Sequence, residues 1–256
     1  MTQNPSHTVR PGSIRDRIFC AIDPPDIDRA RAMAKSLSGA IGGIKLGLEF
    51  FTANGPDGVR RVMDEAPDAA LFLDLKFHDI PNTVAAAMRS AAVLGPAIIN
   101  VHGFGGRAML EAAYKGAEEG AADAGHPRPK VIAVTVLTSL DQTDLEAMNI
   151  AGTVEDQVEA LARTIAACGL DGVVCSALEI ASLRAALGPD FILVTPGIRP
   201  KGADIGDQKR IMTPTDAIKA GSDYLVIGRP ITAAPDPAAA AQKIVEDIEN
   251  GDHAQS

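Results

Sequence analysis

Apolar residues follow two rhythms along this chain, and the two alternate from one end to the other. Short runs rich in β-branched and aliphatic residues read as strands: RIFCAID (17–23), GGIKLG (42–47), ALFLDLK (70–76) and AIINVHG (97–103), then KVIAVTVL (130–137), GVVCS (172–176), FILVTPG (191–197) and DYLVIGR (223–229). Between them lie longer stretches such as DIDRARAMAKSLSG, NTVAAAMRSAAVLG, TVEDQVEALARTIAACG and the final PDPAAAAQKIVEDIENG. Apolar residues recur in these at three- and four-residue spacing, the period of a helix that buries one face. Gly39, Gly95 and Gly169 stand where such helices should end.

Eight strands, each followed by a helical segment, predict an α/β protein built as a single (β/α)8 TIM barrel. An open doubly wound sheet fits less well, because no GxGxxG follows the first strand and no break in composition marks a second domain. The barrel is expected over 14–250, with residues 1–13 a polar, loosely ordered lead-in and 251–256 a frayed tail.

With 46% hydrophobic residues among 256, the chain can bury a large core. Its formal net charge of −9 argues against a broad nucleic-acid surface and leaves room for a local cationic site. No apolar run approaches the roughly 18 residues that cross a bilayer, so no membrane partner is expected. The three cysteines, Cys20, Cys168 and Cys175, lack metal-ligand spacing and read as reduced thiols, which suits a cytoplasmic protein.

In a barrel of this kind chemistry gathers where the strands end. Asp23 closes the first run, Lys45 lies near the end of the second, and Asp74 and Lys76 close the third. Strand alternation puts Asp74 and Lys76 on one face, and Lys45 on the neighbouring strand comes within reach of Asp74. Such a set is either a structural ion-pair network plugging the barrel mouth or a catalytic amine kept charged by flanking carboxylates. A charged lysine suits a general acid better than a Schiff-base nucleophile.

The loop after the seventh strand, TPGIRPKGADIGDQKRIMTP (195–214), carries Arg199, Lys201, Gln208, Lys209 and Arg210, with glycines at 197, 202 and 206. Beside it, IGRP offers the Gly228 backbone N–H and the Arg229 guanidinium. Loops after strands seven and eight are where these barrels hold phosphate, so a phosphate-bearing ligand is expected. His102 is expected to shape the loop after the fourth strand, whereas His78 has no evident partner. The carboxylates resemble no metal constellation; Asp74 and Asp79 are of a type that could bind Mg²⁺, but adjacent lysines already supply positive charge there.

The motifs LDLKFHDIPNT, VTVLTS, TPGIRP, GDQKRIMTP and VIGRP, in this order and spacing, resemble orotidine 5′-phosphate decarboxylase, most closely its bacterial form, from about Arg17 to the last helix. The resemblance implies a metal- and cofactor-free carboxy-lyase that converts orotidine 5′-phosphate to UMP and CO₂, the last step of pyrimidine nucleotide synthesis. It implies that Asp23 binds ribose hydroxyls and that Lys45 bridges ribose and the catalytic carboxylate. Asp74 would face the substrate carboxylate and Lys76 would donate the proton. Asp79, Ile80 and Thr83 would reach the site of a second subunit, making a homodimer. Thr138 and Ser139 would recognise the pyrimidine; Arg199, Gln208, Gly228 and Arg229 would hold the phosphate. One departure is VHGFGG, with Phe104 where a small residue is expected, which should alter local packing rather than chemistry.

Two other readings compete. A sister barrel such as 3-hexulose-6-phosphate synthase shares DxKxxD but not the GDQ and DIPNT continuations. A non-catalytic UMP-binding barrel would need the phosphate site but not the set Lys45–Asp74–Lys76–Asp79.

Overall fold

Eight short strands pair in parallel and in sequence order: β1 (Ile18–Ile22), β2 (Gly43–Gly47), β3 (Ala70–Phe77), β4 (Ile98–His102), β5 (Lys130–Val134), β6 (Gly172–Val174), β7 (Ile192–Thr195) and β8 (Tyr224–Ile227). The last pairs back with the first, closing the (β/α)8 barrel that the alternating rhythm predicts. The structure, a computed structural model, describes residues 12–201 and 212–253. All of the expected lead-in except Gly12 and Ser13 lies outside those residues.

Alternation along the strands sorts the core into two layers. Phe19, Ala21, Phe72, Ile98, Ile132, Val194 and Val226 point into the barrel. Ile18, Cys20, Ile22, Leu73, Ile99 and Val101 point outward and meet the helices. Phe19 is the centre of the barrel floor, edge-on to Phe72 at 6.0 Å and to Tyr224 at 5.5 Å. Its ring occupies the space opposite Gly43, where a Cβ would fall 2.2 Å from it. The floor is therefore apolar and full, and whatever enters must sit above it.

Except for β2 and β3, the strands stop earlier than their apolar runs. β7 ends at Thr195 because Pro196 has no ladder donor and Gly197 turns at φ +75°. β8 gives way to a short helix, Arg229–Thr232, with Pro230 in its first turn. Helix ends fall close to expectation: Ile27–Leu37, Pro81–Ala92 and Val154–Ala167 are followed by Gly39, Gly95 and Gly169, all at positive φ. The final helix runs Pro237–His253, and residues 254–256 of the expected tail lie outside the described residues. Thr215 donates to the Asp247 carbonyl, and Gly251 lies so close to Thr215 that a Cβ would fall 2.4 Å from its methyl. That glycine permits tight packing rather than ending the helix.

Helix Pro81–Ala92 lies against helix Gly106–Asp123 with almost no gap. A Cβ on Gly116 or Gly120 would fall 2.3 Å from the Ala85 carbonyl oxygen or 2.2 Å from that of Arg89. At the opposite mouth of the barrel, part-buried ion pairs tie the strand beginnings together. Arg184 donates to Asp223 at 2.7 Å and to the carbonyls of Gly188, Phe191 and Gly221 at 2.8, 2.8 and 2.7 Å. Arg128 grips Asp171 with two bonds of 2.7 and 2.8 Å. The cysteines are free thiols, Cys20 and Cys175 buried, and burial pushes the Cys20 thiol up to about 12. No helix among the described residues is long and apolar enough to cross a membrane.

Candidate active site

The charged residues that end the first three apolar runs form one connected chain. Lys45 points inward from β2 between Gly43 and Gly47, and Gly47 leaves it room: a Cβ there would fall 3.0 Å from the Lys45 amine. Lys45 Nζ lies 3.2 Å from Asp23 Oδ1 and 3.2 Å from Asp74 Oδ2. Asp74 Oδ1 accepts from Lys76 Nζ at 2.6 Å. Signs alternate along Asp23–Lys45–Asp74–Lys76, so each inner charge lies between two opposite ones. Lys45 and Asp74 are buried, while Asp23 and Lys76 open toward the mouth.

Burial alone would raise the Asp74 carboxyl, but the Lys45 and Lys76 ammonium groups, with hydrogen bonds from Lys76 and Asn100, outweigh it and hold the carboxyl below the usual aspartate value. Burial likewise pulls Lys45 down, yet Asp74 and Asp23 outweigh it and keep that amine above its ordinary value. Lys45 and Asp74 are therefore both charged at neutral pH. Losing one partner would strand a buried charge, at a cost of about 3–5 kcal/mol.

Strict alternation does not produce the Asp74–Lys76 contact. Between Leu73, paired with Ile99, and Phe77, paired with Val101, three residues of β3 face the single residue Asn100 of β4. This bulge puts Lys76 at φ +49°, a left-handed backbone that costs a non-glycine residue roughly 1 kcal/mol. Asn100 sits inside the irregularity, fully buried; its amide nitrogen donates to Asp74 Oδ1 at 2.7 Å and its carbonyl accepts from the Lys76 backbone N–H at 2.8 Å. The sequence reading passes over Asn100; the only signal was a polar residue interrupting AIINVHG.

Above the floor lies a cavity of about 210 Å³ with two unlike walls. Lys45, Asp74 and Lys76 form one; Val134, Val136, Leu137, Thr138 and Pro196 are on another side. A flat, partly apolar ring fits between them with one edge against the charges. Thr138 thus joins the site, while Ser139, next on the same turn, is exposed. Arg199 is buried just past β7, where its backbone N–H donates to the Met212 carbonyl at 3.0 Å and closes the base of the following loop. Gly228 and Arg229 follow the adjoining β8, with Arg229 exposed. Gln208, Lys209 and Arg210 lie outside the described residues, as do Gly202 and Gly206.

Asp79, Ile80 and Thr83 are exposed at the turn into helix Pro81–Ala92, outside this cavity wall. Asp79 Oδ1 accepts from the Ile80 N–H at 2.6 Å. His102 does shape the loop after β4, its Nδ1 accepting from the Phe104 N–H at 3.5 Å. His78, without a partner in the sequence reading, stacks on His102 at 5.4 Å, and Phe104 leans on the same ring at 5.7 Å. Burial, with His78 and Lys76 nearby, holds His102 below its ordinary value. Among the described residues, no group of three or more His, Cys, Asp or Glu is placed to hold a metal.

Comparison with known proteins agrees with this geometry. The model of the Orotidine 5'-phosphate decarboxylase / HUMPS family matches residues 16–244. Orotidine 5'-phosphate decarboxylase of Rhodospirillum rubrum is 53% identical over 248 residues, covering 97% of this chain and 95% of that one. The Moorella thermoacetica enzyme of the same name is 52% identical, covering 92% and 93%. Among solved structures, orotidine 5'-phosphate decarboxylase from Lactobacillus acidophilus superposes with a TM-score of 0.80 at 36% identity, covering 90% of this chain and 98% of the other. A closed barrel with four alternating charges at its mouth, matched along nearly its whole length by these relatives, belongs to the orotidine 5′-phosphate decarboxylase family.

Proposed function

We propose that this chain is a carboxy-lyase that removes CO₂ from C6 of orotidine 5′-phosphate and releases UMP. The observation that carries the reading is the alternating set Asp23–Lys45–Asp74–Lys76, of which Lys45, Asp74 and Lys76 line one wall of a cavity whose other side is mostly apolar. The pyrimidine lies between the walls near Thr138 and Ser139, and the ribose hydroxyls meet Asp23 and Lys45. The phosphate reaches the ends of β7 and β8, where Arg199, Arg229 and the Gly228 N–H suit its oxygens, with Gln208 bridging toward the base.

The substrate carboxylate then faces Asp74. The bond from C6 to the carboxyl carbon breaks, CO₂ departs, and the electron pair stays on C6. The Lys76 ammonium stabilises that charge and then transfers its proton to C6; solvent returns the proton to the amine. Enzymes lower barriers by roughly 8–23 kcal/mol, and here the reduction is electrostatic, from charges already fixed before substrate arrives. Phosphate contacts far from C6 supply binding energy that holds the ring against this array. No step passes through a metal or cofactor, because the two ammonium groups provide the positive charge.

The same reading makes the protein a cytoplasmic homodimer in which Asp79, Ile80 and Thr83 complete the partner's site. The exposure of Ile80, 66% for a large apolar side chain, supports a covered surface there. A direct assay tests the activity. Orotidine 5′-phosphate absorbance should fall on adding protein in the presence of EDTA, with UMP and CO₂ formed in equal amounts. No conversion overturns the reading, and EDTA-sensitive release of formaldehyde from a hexulose 6-phosphate would assign the chain to the sister activity.

A further inference from the structure

Asn100 is fully buried, and its side chain hydrogen-bonds both Asp74 and the backbone of Lys76. Its two amide ends are chemically distinct, and each partner accepts only one of them. The carboxylate needs a donor and takes the NH₂ group; the Lys76 N–H needs an acceptor and takes the carbonyl. Both contacts fall inside the bulge, where β3 carries two residues more than β4 can pair. There the carbonyl of Asn100 stands in for a ladder acceptor and sustains the left-handed turn at Lys76.

The other groups facing this amide are charged. Asp74 Oδ1 accepts from Asn100 and from Lys76 Nζ together, while Oδ2 faces Lys45. The direction of the Asp74 carboxylate and the point from which the Lys76 side chain leaves the backbone are thus fixed by one residue on the neighbouring strand. We propose that Asn100 is a positioning residue for proton transfer, a two-ended brace that holds Asp74 and Lys76 in an arrangement where the amine contacts the carboxylate and lines the cavity. The inference rests on the decarboxylase reading for its reaction, but the brace itself does not.

Asn100→Ala and Asn100→Asp in the full chain test it. The aspartate variant keeps shape and the acceptor for the Lys76 N–H but replaces the donor with a carboxylate facing Asp74. Loss of a hydrogen bond to a charged group should lower kcat about 10- to 100-fold in Asn100→Ala, while UMP affinity stays within about threefold. Asn100→Asp should be similarly impaired at neutral pH and recover as pH falls. The introduced carboxyl, raised by its like-charged neighbour, then regains a proton and can donate again. Folded variants with kcat within twofold of wild type, or an Asn100→Asp pH profile parallel to wild type, would overturn the proposal. A purely structural residue would lower the melting temperature and leave kcat per folded molecule unchanged. If wild type fails to convert orotidine 5′-phosphate, the decarboxylase reading falls, and a crystal structure of Asn100→Ala decides the brace. Lys76 leaving its left-handed backbone supports it; an unchanged φ with the 2.6 Å contact intact refutes it.

Discussion

At the residue scale, the candidate site is built from charges that would be costly apart and are favourable together. With Lys76 as proton donor, Lys76→Ala should lower kcat by roughly 10²- to 10⁴-fold while UMP binding, followed by calorimetry, remains measurable. Asp74 has a consequence for folding as well. Its folded-state value lies below the ordinary 3.8, so its contribution to stability is present above that pH and is lost as pH falls through the depressed value. Lys45 acts in the opposite sense, contributing fully below 10.5 and losing its share only as pH rises past its raised value. Urea titrations should therefore find Asp74→Asn less stable than wild type by about 3 kcal/mol at neutral pH, with the gap closing below about pH 3.8. A constant gap across that range would remove Asp74 from the acid limb. Lys45, Asp74 and Lys76 were legible in the sequence because charges at the ends of apolar runs are conspicuous. Asn100 was not, because its contacts depend on a bulge that period-two alternation cannot foresee.

At the scale of elements, the helix pair Pro81–Ala92 and Gly106–Asp123 sets where the turn carrying Asp79 and Ile80 emerges. Replacing glycine by alanine inside a helix ordinarily adds up to about 1 kcal/mol of stability. At Gly116 the new methyl would meet the Ala85 carbonyl oxygen at 2.3 Å, and overpacking of that kind costs about 1–3 kcal/mol. The clash wins, so Gly116→Ala should lower the melting temperature in a thermal scan; a rise would mean the helices separate easily. Strand order and most helix ends could be read from periodicity and from Gly39, Gly95 and Gly169, since those signals are local. The ends of β7 and β8 were written there too, in Pro196, Gly197 and Pro230, although the apolar runs continue past them. The course of the last helix through Gly251 could not be read, since it depends on how that glycine meets Thr215.

At the scale of the molecule, the two mouths of the barrel divide the labour. Part-buried arginine pairs such as Arg184 with Asp223 fasten the strand beginnings, and the charges of the candidate site stand at the strand ends. The proposed dimer makes this division reach between subunits. Asp74→Ala and Asp79→Ala proteins, each inactive alone, should regain part of the wild-type rate when mixed as verified heterodimers, because one site then draws an intact set from both chains. Absence of rescue in such heterodimers would confine Asp79 to its own subunit. The fold was open to sequence reasoning because it repeats eight times, whereas a partner surface occurs once and has no period.

The backbone at Lys76 carries a final implication for how this chain can be changed. On conformational grounds alone its left-handed turn would favour glycine, and the ordinary preference for alanine over glycine is reversed there. Glycine there would relax the turn yet take from Asp74 its 2.6 Å contact with the Lys76 amine, so shape and charge pull in opposite directions at one residue. The buried carboxylate thus keeps in place a residue that its own backbone would not choose, and the two demands can be relieved only together, by changing Asp74 and Lys76 in one step.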